Sequence, residues 1–196
     1  MKLLLLSDEE NKYLWDHYEP GRLDEYDLIL SCGDLKANYL SFLVTMGRVP
    51  LVYVHGNHDT GYEGKPPEGC DCAEDRIVKY NGLKILGLGG CRFYNGGPHQ
   101  YTERQMASRI RKLYWKIFLA GGVDIVLAHA PAAGYGDADD PAHQGFKCFL
   151  KLIDRVKPKY FIHGHMHLSY GHNIQRRMER NGTIIINAYD KYELEI

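Results

Sequence analysis

Basic excess is the first thing this sequence lacks: 24 Lys and Arg face 25 Asp and Glu across 196 residues, a formal net charge of -1. Binding to long nucleic acid draws on cations that release counterions from phosphates, so no polyanion groove is expected. Cysteine is scarce too, five in all, with only Cys70 and Cys72 close together in "CDC". An odd, scattered set excludes a disulfide framework and points to a reducing, cytoplasmic setting. No stretch approaches the roughly 20 apolar residues of a membrane span, so no membrane partner is expected. The opening "MKLLLLSDEE" has an apolar run shorter than the roughly 7–15 residues of a secretory core and ends in three acids. It reads as a buried first strand. Internal repeats, linkers and low-complexity tracts are absent, and the length favours a single domain over residues 1–196. Nothing in the sequence bears on the oligomeric state.

What is present is a series of short apolar runs that stop abruptly in polar residues: "KLLLLSD", "DLILSCGD", "LVYVHGNHD", "VDIVLAHAP" and "KYFIHGHMH". Runs of this length, rich in Leu, Val and Ile, read as strands buried on both faces. Between them, "LKANYLSFLVTM", "TERQMASRIRKLYWKIFLA" and "HQGFKCFLKLIDRV" place apolar residues at helical spacing. Asn81-Gly82 and Asn181-Gly182 sit between β-rich segments, the second pair between "GHNIQRRMER" and "TIIINAY", and each is a type I′ hairpin signal. The expected fold is α/β, a four-layer α/β/β/α sandwich of two mixed β-sheets flanked by helices.

Ligands in open α/β folds bind beyond the carboxyl ends of the strands, where loops converge. Five strand ends here carry a candidate metal ligand: Asp8, Asp34, Asn57 with His58, His129, and His165 with His167. Any one of these alone reads equally as a cap or a turn former. Together, carboxylates, an amide and imidazoles suit Mn²⁺, Fe, Zn²⁺ or Ni²⁺ rather than Ca²⁺, and the donors are too many for one ion.

"GD" at Gly33-Asp34, "GNHD" at Gly56 to Asp59, "AHAP" around His129 and "GHMH" at Gly164 to His167, in that order, resemble the calcineurin-like metallophosphoesterase superfamily. The resemblance runs from Asp8 to the closing "NGTIIINA". It implies two divalent metal ions, with Mn²⁺ favoured, and hydrolysis of phosphomonoesters or small phosphodiesters by in-line attack of a metal-bridging hydroxide. By the same resemblance Asp34 bridges the metals, Asn57, His129 and His165 complete one site, and Asp8 with His167 holds the other. His58 then protonates the leaving oxygen, and Asp59 orients its ring. Gly56 lets the backbone turn sharply between strand and motif.

The family usually opens with Asp-x-His, whereas this chain reads Asp8-Glu9-Glu10. Glu10 is therefore either a solvated acid or a carboxylate ligand in place of an imidazole. Three long polar stretches flank the motifs. "GYGDADDPAHQGF" is either an ordinary connection, with Asp139 or Asp140 capping a helix that Pro141 starts, or a loop over the metals that brings His143 to the leaving group. "TGYEGKPPEGCDCAED" reads as a loop shaping substrate access. "GGCRFYNGGPHQYTE" offers Arg92, Tyr94, His99 and Tyr101 as phosphate or base contacts, Arg92 being the bidentate candidate or simply a surface arginine. His55 and His163 read as strand residues of the core, while His17 and His172 carry no signal. The alternative to an enzyme is a non-catalytic scaffold of the same fold that binds proteins. A scaffold has no need of His58 beside Asn57, and this chain has both.

Overall fold

Leu3 to Leu6 are all fully buried. Successive side chains of strand β1 (Lys2–Ser7) point to opposite faces, and both faces are covered. Leu3 and Leu5 join a cluster with Leu28, Leu30, Val52, Ile125, Leu127, Ile162 and Ile186, the layer between two sheets. Leu4 and Leu6 pack the other way, against Tyr39, Leu40 and Leu43 of a helix.

The computed structural model describes residues 1–168 and 175–196. In chain order its elements are β1, β2 (Leu28–Ser31), α1 (Ala37–Gly47), β3 (Leu51–Tyr53), β4 (Asp71–Cys72), β5 (Ile77–Tyr80), β6 (Leu83–Leu88), β7 (Cys91–Arg92), β8 (Gln100–Tyr101), α2 (Glu103–Leu119), β9 (Ile125–Ala128), α3 (Lys147–Val156), β10 (Tyr160–His163), β11 (Arg177–Arg180), β12 (Thr183–Asn187) and β13 (Asp190–Glu195). Among the described residues, one sheet has the order β13-β1-β2-β3-β4 and the other β11-β12-β10-β9-β6-β5, with β7 and β8 forming a short separate pair. Both large sheets are mixed: β1 to β4 are parallel and β13 antiparallel to β1, while β12, β10, β9 and β6 are parallel and antiparallel hairpins close the edges. Helix α1 covers the outer face of the first sheet, and α2 with α3 covers the second through Met106, Ile110, Phe149 and Leu152. This is the expected four-layer arrangement.

The hairpin signals hold, since Asn81, Gly82, Asn181 and Gly182 all have positive φ, as a type I′ turn requires. Residues 171–174, the start of the segment ahead of β11, lie outside the described residues. Helix α2 begins where the sequence reading places it, because Thr102 and Gln105 form a reciprocal capping box. Helix α3 begins later than expected, at Lys147. Asp140 caps a turn instead, its Oδ1 accepting from the N–H groups of Ala142 (3.1 Å) and His143 (3.2 Å). The start of α3 is capped from a distance by Glu103, whose Oε1 accepts from Cys148 N at 2.6 Å. The stretch after "GNHD" is also more ordered than a loop: it contains a 3-10 turn, Thr60–Glu63, and the edge strand β4. Among the described residues no helix is long and apolar enough to cross a membrane.

Candidate metal centre

Asp8, Asp34, His129 and His165 each bring one ligand atom to within 4.8 Å of the others. They lie just past the carboxyl ends of β1, β2, β9 and β10, two from each large sheet. Three of them leave the strand in the left-handed region, with φ of 67° at Asp8, 58° at Asp34 and 65° at His165. Side chains rarely adopt this conformation unless the surroundings impose it. Here neighbouring loops do: Asp8 N donates to the Gly33 carbonyl (3.1 Å), and His165 N donates to Asp8 Oδ2 (2.8 Å). A Cβ on Gly164 would overlap Ser7, so only glycine lets these two loops meet.

Both histidines are held with one nitrogen turned inward. His129 is fully buried, and its Nδ1 lies 2.8 Å from the Cys32 carbonyl, which only an N–H can satisfy. Its Nε2 faces Asn57 Oδ1 at 3.0 Å and Asp34 Oδ2 at 3.4 Å. His165 Nε2 donates to the Ala142 carbonyl (2.8 Å), leaving Nδ1 with its lone pair.

Charge follows from this packing. Burial works to raise the Asp34 carboxyl, but the adjacent His129 and the N–H of His58 hold it down to about 2. Burial likewise opposes a charged His129, yet Asp34 and Asp8 push its imidazolium up to about 9. Burial, reinforced by His129, takes His165 down to about 3 and keeps it neutral. Burial pushes Asp8 up. Its Oδ1 is buried and without a hydrogen-bond partner.

That orphaned oxygen is the test of whether these residues fit a metal. A buried carboxylate oxygen without a donor is costly, and a cation is the partner that carboxylate, amide and neutral imidazole donors share. Without an ion, the proton on His129 serves as the positive charge between Asp34 and Asp8. A divalent ion held by His129 would require the neutral imidazole and would take the place of that proton. The donor set fits divalent ions.

Asn57 and His58 follow β3, and their backbone is drawn tight against Asp34. His58 N donates to Asp34 Oδ1 (2.7 Å), and a Cβ on Gly56 would overlap the Asp34 carboxylate. Gly56 is thus required for close approach and not for a turn, since its φ is not positive. The His58 side chain is exposed. The orienting role implied for Asp59 has no hydrogen bond behind it among the described residues. Asp59 Oδ2 instead accepts from Gly56 N (2.7 Å) and Asp34 N (2.9 Å), pinning the two metal loops together. Burial raises its carboxyl to about 6.

His167 stands at the rim, its Nε2 3.8 Å from Asp8 Oδ1 and its ring packed on Tyr189. Glu10 lies outside the four-residue group: its carboxylate pairs with Lys36 at 3.1 Å. Arg92 is engaged by Glu103 at 2.8 Å and lies over Phe146, which is a structural use of its guanidinium. His143 does reach the centre, with its ring 5.2 Å from that of His165 and its Nδ1 on Asp140 at 2.8 Å. The loop after β9 therefore covers the site, and Ala142 touches a candidate ligand. His55 and His99 stack together at 4.8 Å beside Glu74, away from the four-residue group, and His163 is buried in β10. His172 lies outside the described residues. Sequence reading missed the carbonyls of Cys32 and Ala142, because any residue type supplies a carbonyl. The Asp140–His143 pair at i, i+3 was the one available signal for the covering loop.

A family model described as calcineurin-like phosphoesterase matches residues 7–169. Two curated UPF0046 proteins of Caenorhabditis elegans are similar: one is 24% identical over 195 residues, the other 26% over 192. These matches cover 83% and 81% of this chain but only 62% and 63% of those relatives, so the chain spans less than two thirds of their length. Among solved structures, TT1561 of Thermus thermophilus matches with a TM-score of 0.62 at 16% identity, covering 96% of this chain and 89% of that one. That likeness shows the fold.

Proposed function

This chain belongs to the calcineurin-like phosphoesterase family, and from that premise we propose that it is a two-metal hydrolase of phosphomonoesters or small phosphodiesters. The observation that carries the reading is the group Asp8, Asp34, His129 and His165, converging from two sheets around a buried carboxylate oxygen of Asp8 that has no hydrogen-bond partner. By the family's pattern Asp34 would be shared by two ions, with Asn57, His129 and His165 completing one site and Asp8 with His167 holding the other. Divalent ions held there supply Lewis acidity that neutralises phosphoryl charge and makes water a nucleophile at neutral pH.

The chain's own groups do the rest. The His58 N–H favours the ionised form of Asp34. The Cys32 and Ala142 carbonyls fix which nitrogen each histidine turns inward. His58, exposed at the edge of the site, donates a proton to the leaving oxygen. Asp59 keeps the His58 loop at a fixed distance from Asp34 through its two N–H contacts.

The test is elemental analysis of the purified chain together with turnover of bis(4-nitrophenyl) phosphate and 4-nitrophenyl phosphate under added Mn²⁺, Zn²⁺ or Ni²⁺. Two ions per chain and metal-stimulated release of 4-nitrophenol are expected, with Mn²⁺ the best activator. No bound metal and no activity with any ion would favour a binding scaffold instead.

A further inference from the structure

A cavity of about 380 Å³ opens between His58 and the start of α1. Small-molecule pockets usually measure roughly 300–1,000 Å³. Its wall has two characters, apolar at Leu35, Ala37 and Tyr62 and polar at Lys36, Asn38 and Lys65. Tyr62 is a fixed surface, because its hydroxyl donates to the Leu35 carbonyl and its ring meets Tyr53 edge-on at 5.5 Å. Asp34 and His58 belong to the same wall. A substrate whose phosphoryl group sits at Asp34 and whose leaving oxygen meets His58 can extend its leaving group into this cavity. A second hollow of about 350 Å³ shares Asn38 and Lys65 with the first and continues to Trp15 and Phe42.

Charge decides what the cavity takes. Lys65 is exposed and has no ion pair among the described residues, and Lys36 has Glu10 alone. The acids of the first cavity are engaged elsewhere, Asp34 at the metal centre and Asp59 on two N–H groups. Glu68 faces the second hollow. A neighbouring hollow of about 530 Å³ gathers Glu9, Glu10 and Asp190 with Lys12 and Lys191, which gives an anion no advantage there. Resting on the phosphoesterase reading, we propose that the cavity beside His58 is the leaving-group subsite and takes an organic leaving group bearing its own anion, a carboxylate or a second phosphate, held by Lys65 with Lys36.

Three substrates test this on the Mn²⁺-loaded chain: phenyl phosphate, 4-carboxyphenyl phosphate and 1,4-phenylene bisphosphate. Either anionic substrate is expected to exceed phenyl phosphate by roughly tenfold in kcat/KM, through a lower KM, the gain of one charge-assisted hydrogen bond at an exposed site. Comparing the two anionic substrates separates a carboxylate from a phosphate preference. Lys65→Ala should bring the ratio close to one, and Lys65→Arg should retain it. A ratio near one in the unaltered chain, or one unchanged in Lys65→Ala, overturns the proposal.

A second readout needs neither metal nor turnover. Titrating 4-hydroxybenzoate into the EDTA-treated chain should move the amide resonances of Ala37, Asn38 and Lys65 saturably, and Lys65→Ala should abolish the shifts. Shifts without hydrolysis of any substrate would reject the phosphoesterase reading while keeping the anion site. Hydrolysis without shifts and without substrate preference would reject the site alone.

Discussion

Among the described residues, the hydrogen bond that ties His58 to the candidate metal centre comes from its backbone, which donates to Asp34 Oδ1 at 2.7 Å, while its side chain stays exposed. Its ring is thus separable from the candidate ligands. His58→Ala should cost about 10²–10⁴ in kcat, the usual worth of a positioned proton donor, with metal content unchanged by elemental analysis. Loss of metal in this variant would make His58 a ligand. Around it, what could be read from sequence and what could not divide by chemistry. The convergence of Asp8, Asp34, His129 and His165 was legible because each follows an apolar run with a donor group. Gly56 was legible as special but for the wrong reason, since the Asp34 carboxylate that crowds it comes from 22 residues earlier in the chain. The engagement of Glu10 by Lys36 and of Arg92 by Glu103 depends on rotamers and neighbours that no spacing reveals.

Helix α3 shows what happens at the scale of an element. Its residues alternate at helical spacing and were legible, but its first turn lacks a side-chain cap of its own, Phe146 standing at the N-cap. Glu103, at the start of α2, supplies the missing acceptors to Lys147 N (3.2 Å) and Cys148 N (2.6 Å) while also holding Arg92. A negative group at a helix start both satisfies free N–H groups and complements the helix dipole. Glu103→Ala should therefore destabilise the chain by about 1–2 kcal/mol in urea unfolding, the worth of a lost cap together with an arginine left without its acid. A change below about 0.5 kcal/mol would mean that other groups cap α3. A pairing that joins residues 44 or 45 positions apart is beyond any local pattern, which is why the start of α3 was misplaced and its body was not.

Across the whole molecule, Glu74 links the first sheet to the second and to α2. It follows β4, bridges to Gly87 of β6, accepts from the N–H groups of His55 and Gly89, and pairs with Arg109 of α2. Burial works to raise its carboxyl, but His55 and Arg109 outweigh this and hold it below the usual 4.5. A carboxylate depressed on folding contributes stability that is complete above its unfolded value and lost as pH falls through the folded one. Glu74 should thus add nothing to the pH dependence near neutrality and should steepen the loss of stability below about pH 4.5. Glu74→Gln should cost about 3 kcal/mol at pH 7 by leaving Arg109 underpaired, and should flatten that acid limb in pH-dependent unfolding. An unchanged acid limb would remove Glu74 from this role. The left-handed backbone at Asp8, Asp34 and His165 carries a different consequence, one of timing. An isolated segment seldom visits such conformations, and here they are imposed by contacts such as His165 N to Asp8, 157 positions apart. The strand that carries Asp8 gains its antiparallel neighbour only when residues 190–195 are present. During synthesis, Asp8 and Asp34 therefore wait for His165 before the four donors can converge, so any ion that needs all four would be bound late in the making of the chain.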